Sequence, residues 1–387
     1  MAKKEKHKKI ESNDFRVVLD LSERLSRLLR EFLHVSKSDW NFLMDRIRQY
    51  KDKGTPVYRE WSKSKGKGKG RRYFAAPCEE LKLVQKAILD RFLLSIQVHF
   101  VRHGNQRGSS ILTNAEAHAG FAKSLFSVDI VNAFPTVFRS RIKANLKRPW
   151  YYACRMFSGV ELNDDDKERM LEALVDLLAW RDRLPQGPPT SPRVLDIVCL
   201  KMDTEIYQMI QGNSTPFQEY CFTAYADDLA VSCNAESMPE ELRDSVLRIV
   251  RDNGFIPHTR KDKTEYFSPE TGKVPVITGL VINSTGRITI PPNKVNQLRS
   301  RLYNLLKKKE WDETDRGEAA GLVGGYIRQI YPDKLPSKLA TLVVQAEERF
   351  RLEKSGVPVT IVVEGLPDFE EPSSVPDVPV DVEMVSE

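Results

Sequence analysis

Apolar side chains recur at three- and four-residue intervals through the first fifty positions: Val18, Leu21, Leu25, Leu28, Leu29 and Phe32, then Trp40, Leu43 and Ile47. That spacing puts each set on one helical face and predicts helices over 15–35 and 39–50. A strand is expected over 55–61 and a second short one ending at Pro77, with a basic, glycine-rich hairpin tip between them. Leu81, Val84, Ile88 and Phe92 mark a helix over 79–96, with Lys82 and Gln85 off its stripe. An apolar strand over 124–129 ends on Asp129 and continues in helical fashion from Pro135, and 143–183 reads as mostly helical and charged. A tight turn over 184–192 enters a helix carrying Leu195, Val198, Met202, Ile206 and Met209, with Ser191 as its N-cap and Pro192 at its first position. Tyr220, Phe222, Thr223 and Tyr225, then Leu229, Val231 and Cys233, favour two strands of a hairpin. A helix over 240–251, a basic turn feeding a strand, a hairpin made of 274–283 and 288–290, and three helical patterns (298–306, 319–330, 335–350) close the folded part.

The chemistry concentrates in two of these strands. Asp227 and Asp228 interrupt an apolar run at a hairpin turn, where like charges repel and hard oxygen ligands invite divalent cations such as Mg²⁺. Asp129 supplies a third carboxylate, because a buried strand does not usually end on Asp without a partner. The tip at 63–72 is either a solvated loop or a phosphate contact made by glycine-freed amides and basic side chains. Gln186 is read as an exposed bidentate hydrogen-bonder at the apex of its turn, beside a flexible Gly187. Asn114 suits a helix N-cap, which is a sufficient structural explanation for it, while His118 is open to either a structural or a functional reading.

Charge sharpens the picture. The net charge is +6, but the last 24 residues hold eight acids and no base, so the rest of the chain stands at +14. Such a body suits a phosphate backbone. No apolar run approaches the roughly 18 residues of a membrane span, and the basic start has no apolar stretch for a secretory signal, so a cytoplasmic protein with no membrane role is expected. Five cysteines form no C-x-x-C pair, against zinc and for reduced core thiols. The acidic sequence from Leu366 has too few large apolar groups to fold alone. It is either a solubilising end or a partner contact, helped by the β-branched run 357–363.

The order strand, helix, hairpin, helix, strand around Asp129 and Asp227-Asp228 resembles a polymerase palm, and its motifs resemble those of reverse transcriptases. Residues 126–134 resemble their first catalytic motif, 184–192 the P-Q-G motif and 225–228 the Y-x-D-D motif. Lys263 resembles the lysine that closes the palm, and Arg72, Pro77, Lys82 and Gln85 the fingers pattern. Within that family, Asn114-Ala115 with His118, and Ile277-Thr278-Gly279, are similar to the N-A-x-x-H and V-T-G motifs of bacterial retron enzymes.

The resemblance implies an α+β, right-hand polymerase fold: a basic extension (1–13), fingers with N-terminal helices (14–123), a split βαβ palm (124–290, with a helical insertion at 143–183), a helical thumb (291–354) and the acidic tail (355–387). It implies RNA-directed DNA synthesis with two Mg²⁺ held by Asp129, Asp227, Asp228 and the Ile130 carbonyl. Arg72 and Lys65 or Lys67 would grip triphosphate oxygens, and Gln186 and Gly187 would pack over the incoming deoxynucleotide. Phe134 would exclude a ribose 2′-hydroxyl unless it is plain core, and Asn114, His118, Thr278 and Gly279 would recognise RNA. Implied partners are a structured non-coding RNA serving as template and primer, the RNA–DNA hybrid product, deoxynucleoside triphosphates and an effector protein, as in anti-phage defence. The competing expectations are another bacterial reverse transcriptase, or an RNA-binding scaffold on a polymerase fold.

Overall fold

The computed structural model describes residues 14–64, 70–156, 161–260, 263–283 and 285–354 of the 387 in the chain. Lys65, Lys67, the basic extension, and the acidic tail with its 357–363 run lie outside the described residues. The chain divides into two compact units, 1–289 and 290–387.

The first unit opens with α1 (Arg16–Leu19), α2 (Glu23–Phe32) and α3 (Lys37–Lys53). Ser22 and Ser36 start the second and third by accepting the amides of Leu25 and Asp39, and Gly54 at φ 72° ends the third. The hairpin β1 (Tyr58–Ser64) with β2 (Arg71–Pro77) follows, then α4 (Glu79–Arg91) and α5 (Ile111–Glu116). Strand β3 (Ser124–Asp129) runs into α6 (Ala133–Thr136), α7 (Arg139–Met156), α8 (Asp164–Leu178) and α9 (Ser191–Asn213). The chain returns through the hairpin β4 (Tyr220–Tyr225) and β5 (Asp228–Cys233), then α10 (Glu240–Asp252) and β6 (Thr264–Phe267). A small sheet of β7 (Val276–Ile277), β8 (Leu280–Ile282) and β9 (Ile288–Thr289) closes the unit.

The four-stranded sheet has the order β4-β5-β3-β6, every neighbour antiparallel, so β5 is inserted between the two strands that the α6–α9 crossover joins. This is the split βαβ arrangement. Phe126, Val128, Phe222, Ala224, Leu229 and Val231 of this sheet are buried, as are Leu195, Val198, Met202 and Ile206 of α9. A fully buried side chain of this size contributes about 1.5–3 kcal/mol, so this layer gives the sheet end a rigid base.

The second unit holds α11 (Pro292–Leu306), α12 (Glu313–Leu322), α13 (Arg328–Ile330) and α14 (Ser337–Lys354), with one π turn over Val323–Ile327. Leu298, Leu302, Leu339 and Val343 are buried in it. Buried Arg349 donates to the carbonyls of Leu306, Lys308 and Lys309, satisfying orphan acceptors past the end of α11. Among the described residues no helix is long and apolar enough to cross a membrane.

Four local expectations change. The run 274–283 is two strands, because Thr278 (φ 48°) and Gly279 (φ 77°) both take left-handed backbone and form a two-residue hairpin loop between paired Ile277 and Leu280. Helix α5 is capped by Ser110, which accepts the amides of Leu112 and Thr113, so Asn114 lies inside the helix and its capping explanation falls away. Thr190 rather than Ser191 precedes α9, which puts Pro192 at its second position. Gln85 is buried, donating to the Tyr58 hydroxyl at 3.0 Å and the Leu177 carbonyl at 2.9 Å. It lies four residues after Leu81 and three before Ile88, and so falls on the apolar stripe after all.

Candidate active site

Asp129 is the last residue of β3 and Asp228 the first of β5, and the antiparallel register sets them opposite each other. Asp228 also pairs with Tyr225 across the two-residue loop Ala226-Asp227, which carries the third carboxylate. Residues a hundred positions apart thus meet at one end of the sheet through strand pairing. The Ile130 amide donates to the Asp227 carbonyl at 3.1 Å and ties the loop to β3. Ala226 sits at φ 53°, a left-handed conformation that costs a residue with a Cβ about 1–2 kcal/mol.

Three acids so placed need positive charge. Lys263 Nζ lies 2.6 Å from Asp129 Oδ2. Burial, followed by the Asp129 carboxylate, raises the Asp227 pKa above the usual carboxylate range. Burial, then Asp227 and Asp129, push Asp228 up to about 7, while Lys263 and Arg72 pull both groups the other way. Asp228 borders open water, which screens part of this repulsion. Arg72 is an exposed residue of β2 within electrostatic reach of both acids. Carboxylate oxygens that resist ionising together are the donor set of a hard divalent cation. Among the described residues no three His, Cys, Asp or Glu side chains stand close enough to ligate one ion as they are, and Lys263 is bonded to an Asp129 oxygen. The donor chemistry therefore fits Mg²⁺, with adjustment of the side chains on binding.

The turn carrying Gln186 lies against β2. Its carbonyl accepts the Ala75 amide at 2.8 Å, and Gln186 is half-buried rather than exposed. Gly187 adopts φ 140°, and a Cβ there would come 2.6 Å from the Ala75 carbonyl oxygen. Close approach, not flexibility, is what demands glycine. Phe134, in α6, is half-buried and packs on the core.

A cavity of about 320 Å³ adjoins the carboxylates, lined in part by Asn114, Asp129, Asp228, Lys263, Thr278 and Gly279. Asn114 is 2 % exposed and its Oδ1 has no hydrogen-bond partner. Thr278 Oγ1 donates to the Ile111 carbonyl at 3.2 Å, which brings the β7–β8 loop onto α5. His118 lies elsewhere. It is wholly buried, with Nδ1 2.7 Å from Ser232 Oγ and Nε2 2.7 Å from Thr223 Oγ1, so both ring nitrogens are engaged inside the protein by β5 and β4.

These environments set opposed pH dependences. Burial lowers the His118 pKa to about 3 from 6.5, so below pH 6.5 the unfolded chain binds a proton the folded one refuses, and stability falls as pH drops toward 3. Asp228 does the reverse: from about pH 4, the unfolded value, up to about 7 the folded state keeps a proton the unfolded state has lost, so stability falls as pH rises. The two slopes oppose each other across the same window. Removing one by Asp228→Asn should make the melting temperature of the metal-free protein rise more steeply between pH 4 and 6.5 than in wild type, as measured by thermal melts in EDTA. Equal slopes in the two proteins would remove the assigned environment of Asp228.

Sequence reasoning passed over Arg102, a buried guanidinium that reaches the Ala226 carbonyl and is paired with Asp196 and Asp203 of α9. The signal was present. Two acids seven residues apart share a face of α9, and buried acids call for a buried base.

The model of the family described as reverse transcriptase (RNA-dependent DNA polymerase) matches residues 62–298. The retron Mx162 reverse transcriptase of Myxococcus xanthus is 30 % identical over 344 residues, which cover 84 % of this chain and 67 % of that protein. The retron Ec86 reverse transcriptase of Escherichia coli is 27 % identical over 241 residues, covering 62 % of this chain and 67 % of its own. Among solved structures, telomerases from Candida albicans and Candida tropicalis align with TM-scores of 0.37 and 0.42 at 13 and 12 % identity. Those alignments cover 78 and 84 % of this chain, which spans only 58 and 63 % of theirs. With a family match across more than half its length and a retron relative along most of it, the chain belongs to the reverse transcriptase family and is an RNA-directed DNA polymerase of retron type.

Proposed function

We propose that the protein copies a structured cognate RNA into a small, RNA-linked single-stranded DNA by two-metal nucleotidyl transfer. One observation carries the reading: the strand register that opposes Asp129 to Asp228 around the Asp227 loop, beside a cavity shared with Asn114 and Thr278. Asp129, Asp227 and Asp228 would hold two Mg²⁺, with the Ile130 carbonyl as a further ligand. Bound there, the ions supply an activated primer hydroxyl and charge neutralisation on the triphosphate. Arg72, with Lys65 or Lys67, would grip triphosphate oxygens, Gln186 and Gly187 would pack over the incoming nucleotide, and Lys263 would exchange its contact with Asp129 for one with substrate. The break between the two units at 289/290 supports a palm that ends near residue 290 and a thumb that begins there.

The RNA is recognised through the cavity. An unpartnered amide oxygen on Asn114 and the Thr278-Gly279 loop offer hydrogen-bonding groups beside the metal ligands, where the end of a structured primer would lie. His118 supports the same region from within the palm rather than by contact. In the cell the RNA–DNA product is held in an assembly with an effector protein, in keeping with an anti-phage role, and the acidic tail is the segment we assign to that partner.

Asn114→Ala with Thr278→Ala is therefore expected to lower self-primed synthesis on the cognate RNA by about 10–100-fold, corresponding to one or two hydrogen bonds at ~1.4 kcal/mol each, and to lower extension of an arbitrary primed template less. The two templates are compared by incorporation of labelled deoxynucleotide. Equal losses on both would assign the pair a purely structural role.

A further inference from the structure

The loop that carries Asp227 is held from behind. Residues 101–103 run beside β4 as a short parallel extension of the sheet: the Ala224 amide donates to the Val101 carbonyl at 2.9 Å and the His103 amide to the Ala224 carbonyl at 2.8 Å. From this strand the Arg102 side chain, fully buried, turns beneath the loop. Its Nε and Nη2 donate to the two carboxylate oxygens of Asp203 at 2.6 and 2.9 Å, and Nη1 is shared between Asp196 Oδ1 at 3.2 Å and the Ala226 carbonyl at 2.8 Å. Two residues on, Gly104 presses on the other side of the same residue, since a Cβ there would stand 3.0 Å from the Ala226 amide nitrogen.

The construction has more parts than charge balance requires. Asp203 alone gives Arg102 a bidentate partner, yet the guanidinium also fixes the carbonyl of a residue in left-handed backbone, one position before Asp227. Rotation of the Ala226–Asp227 peptide would carry the Asp227 and Asp228 carboxylates that follow it out of line with Asp129. Asp196 and Asp203 in turn belong to α9, a helix buried along most of its length, so the loop is anchored to a core element of the unit.

We propose that Arg102, braced by Asp196 and Asp203 and opposed by Gly104, is a positioning residue that holds the Ala226–Asp227 peptide in the orientation the divalent cations require. It touches neither substrate nor metal. The proposal rests on the reading of Asp227 and Asp228 as metal ligands, and the test separates the two.

Mn²⁺ binding to the full-length protein, followed by loss of the free-ion EPR signal, is compared for wild type, Arg102→Lys, Gly104→Ala and Asp228→Asn, alongside primer extension. Lysine keeps the charge beside Asp203 but cannot also span Asp196 and the carbonyl. Arg102→Lys should weaken Mn²⁺ binding by ~10–100-fold and lower kcat per active site by a similar factor, the range typical of groups that orient metal ligands, with KM for the nucleotide unchanged. Gly104→Ala removes no charge and should shift both quantities in the same direction, so it decides the matter if the lysine variant does not fold. Wild-type Mn²⁺ affinity and kcat per active site in Gly104→Ala, or in a folded Arg102→Lys, would overturn the positioning role. If Asp228→Asn itself binds Mn²⁺ and extends primers as wild type does, the metal assignment fails, and the proposal with it.

Discussion

Asp227→Asn is expected to abolish extension of a DNA primer on an RNA template in Mg²⁺, a loss of ~10³-fold or more, while the variant melts no lower than wild type in EDTA. The first half follows from ligand chemistry: an amide oxygen is neutral, and the proposed site concentrates negative charge where two cations would sit. The second half follows from the sign of the pKa shift. Burial and Asp129 raise Asp227 above its usual value, so its ionised form is disfavoured in the folded state, and replacing it with a neutral isostere relieves that cost at neutral pH. The loop is also held through its backbone, since the Ile130 amide bonds the Asp227 carbonyl. Loss of activity together with a large fall in melting temperature would instead make Asp227 a structural residue.

How much of this site could be read from the sequence depended on whether a residue's environment is local. The three carboxylates were legible because apolar strands that end or turn on Asp announce themselves within a few positions, and the order of elements then fixed the split βαβ sheet. Gly187 was picked out for the wrong physical reason, since only the packing of its turn on the Ala75 carbonyl reveals the close approach. Thr278-Gly279 was hidden inside a run rich in β-branched residues, whose strand propensity masks a two-residue turn. Arg102 was the least visible. Its partners come from α9 and from the β4–β5 loop, about a hundred residues away, and in sequence it is one more base in a basic chain. His118 shows the converse: a motif position read as open to function is occupied on both ring nitrogens by the hydroxyls of β4 and β5.

Phe134→Ala is expected to admit ribonucleotides, shifting the ratio of deoxynucleotide to ribonucleotide incorporation by ~10–100-fold, the discrimination a steric wall typically supplies. Phe134 stands five residues after Asp129, at the second position of α6, where Asn132 at φ 48° has turned the chain back from the strand direction. Val137 follows the end of α6, and its carbonyl accepts the amide of Leu184, two residues before Gln186. The aromatic ring and the turn assigned to the base are therefore carried on directly bonded segments, and a nucleotide lying between Asp129 and Gln186 would bring its sugar past Phe134. Because the ring is half-buried against the core, truncation should also cost about 2 kcal/mol, below the 3–5 kcal/mol of a fully buried phenylalanine. Selectivity and stability then give separate answers. Parallel reactions with each nucleotide type on one primed RNA, at a temperature where the variant stays folded, measure the ratio. A variant that loses stability and keeps the wild-type ratio would leave Phe134 as core packing and send the search for the sugar gate to other residues around the Gln186 turn.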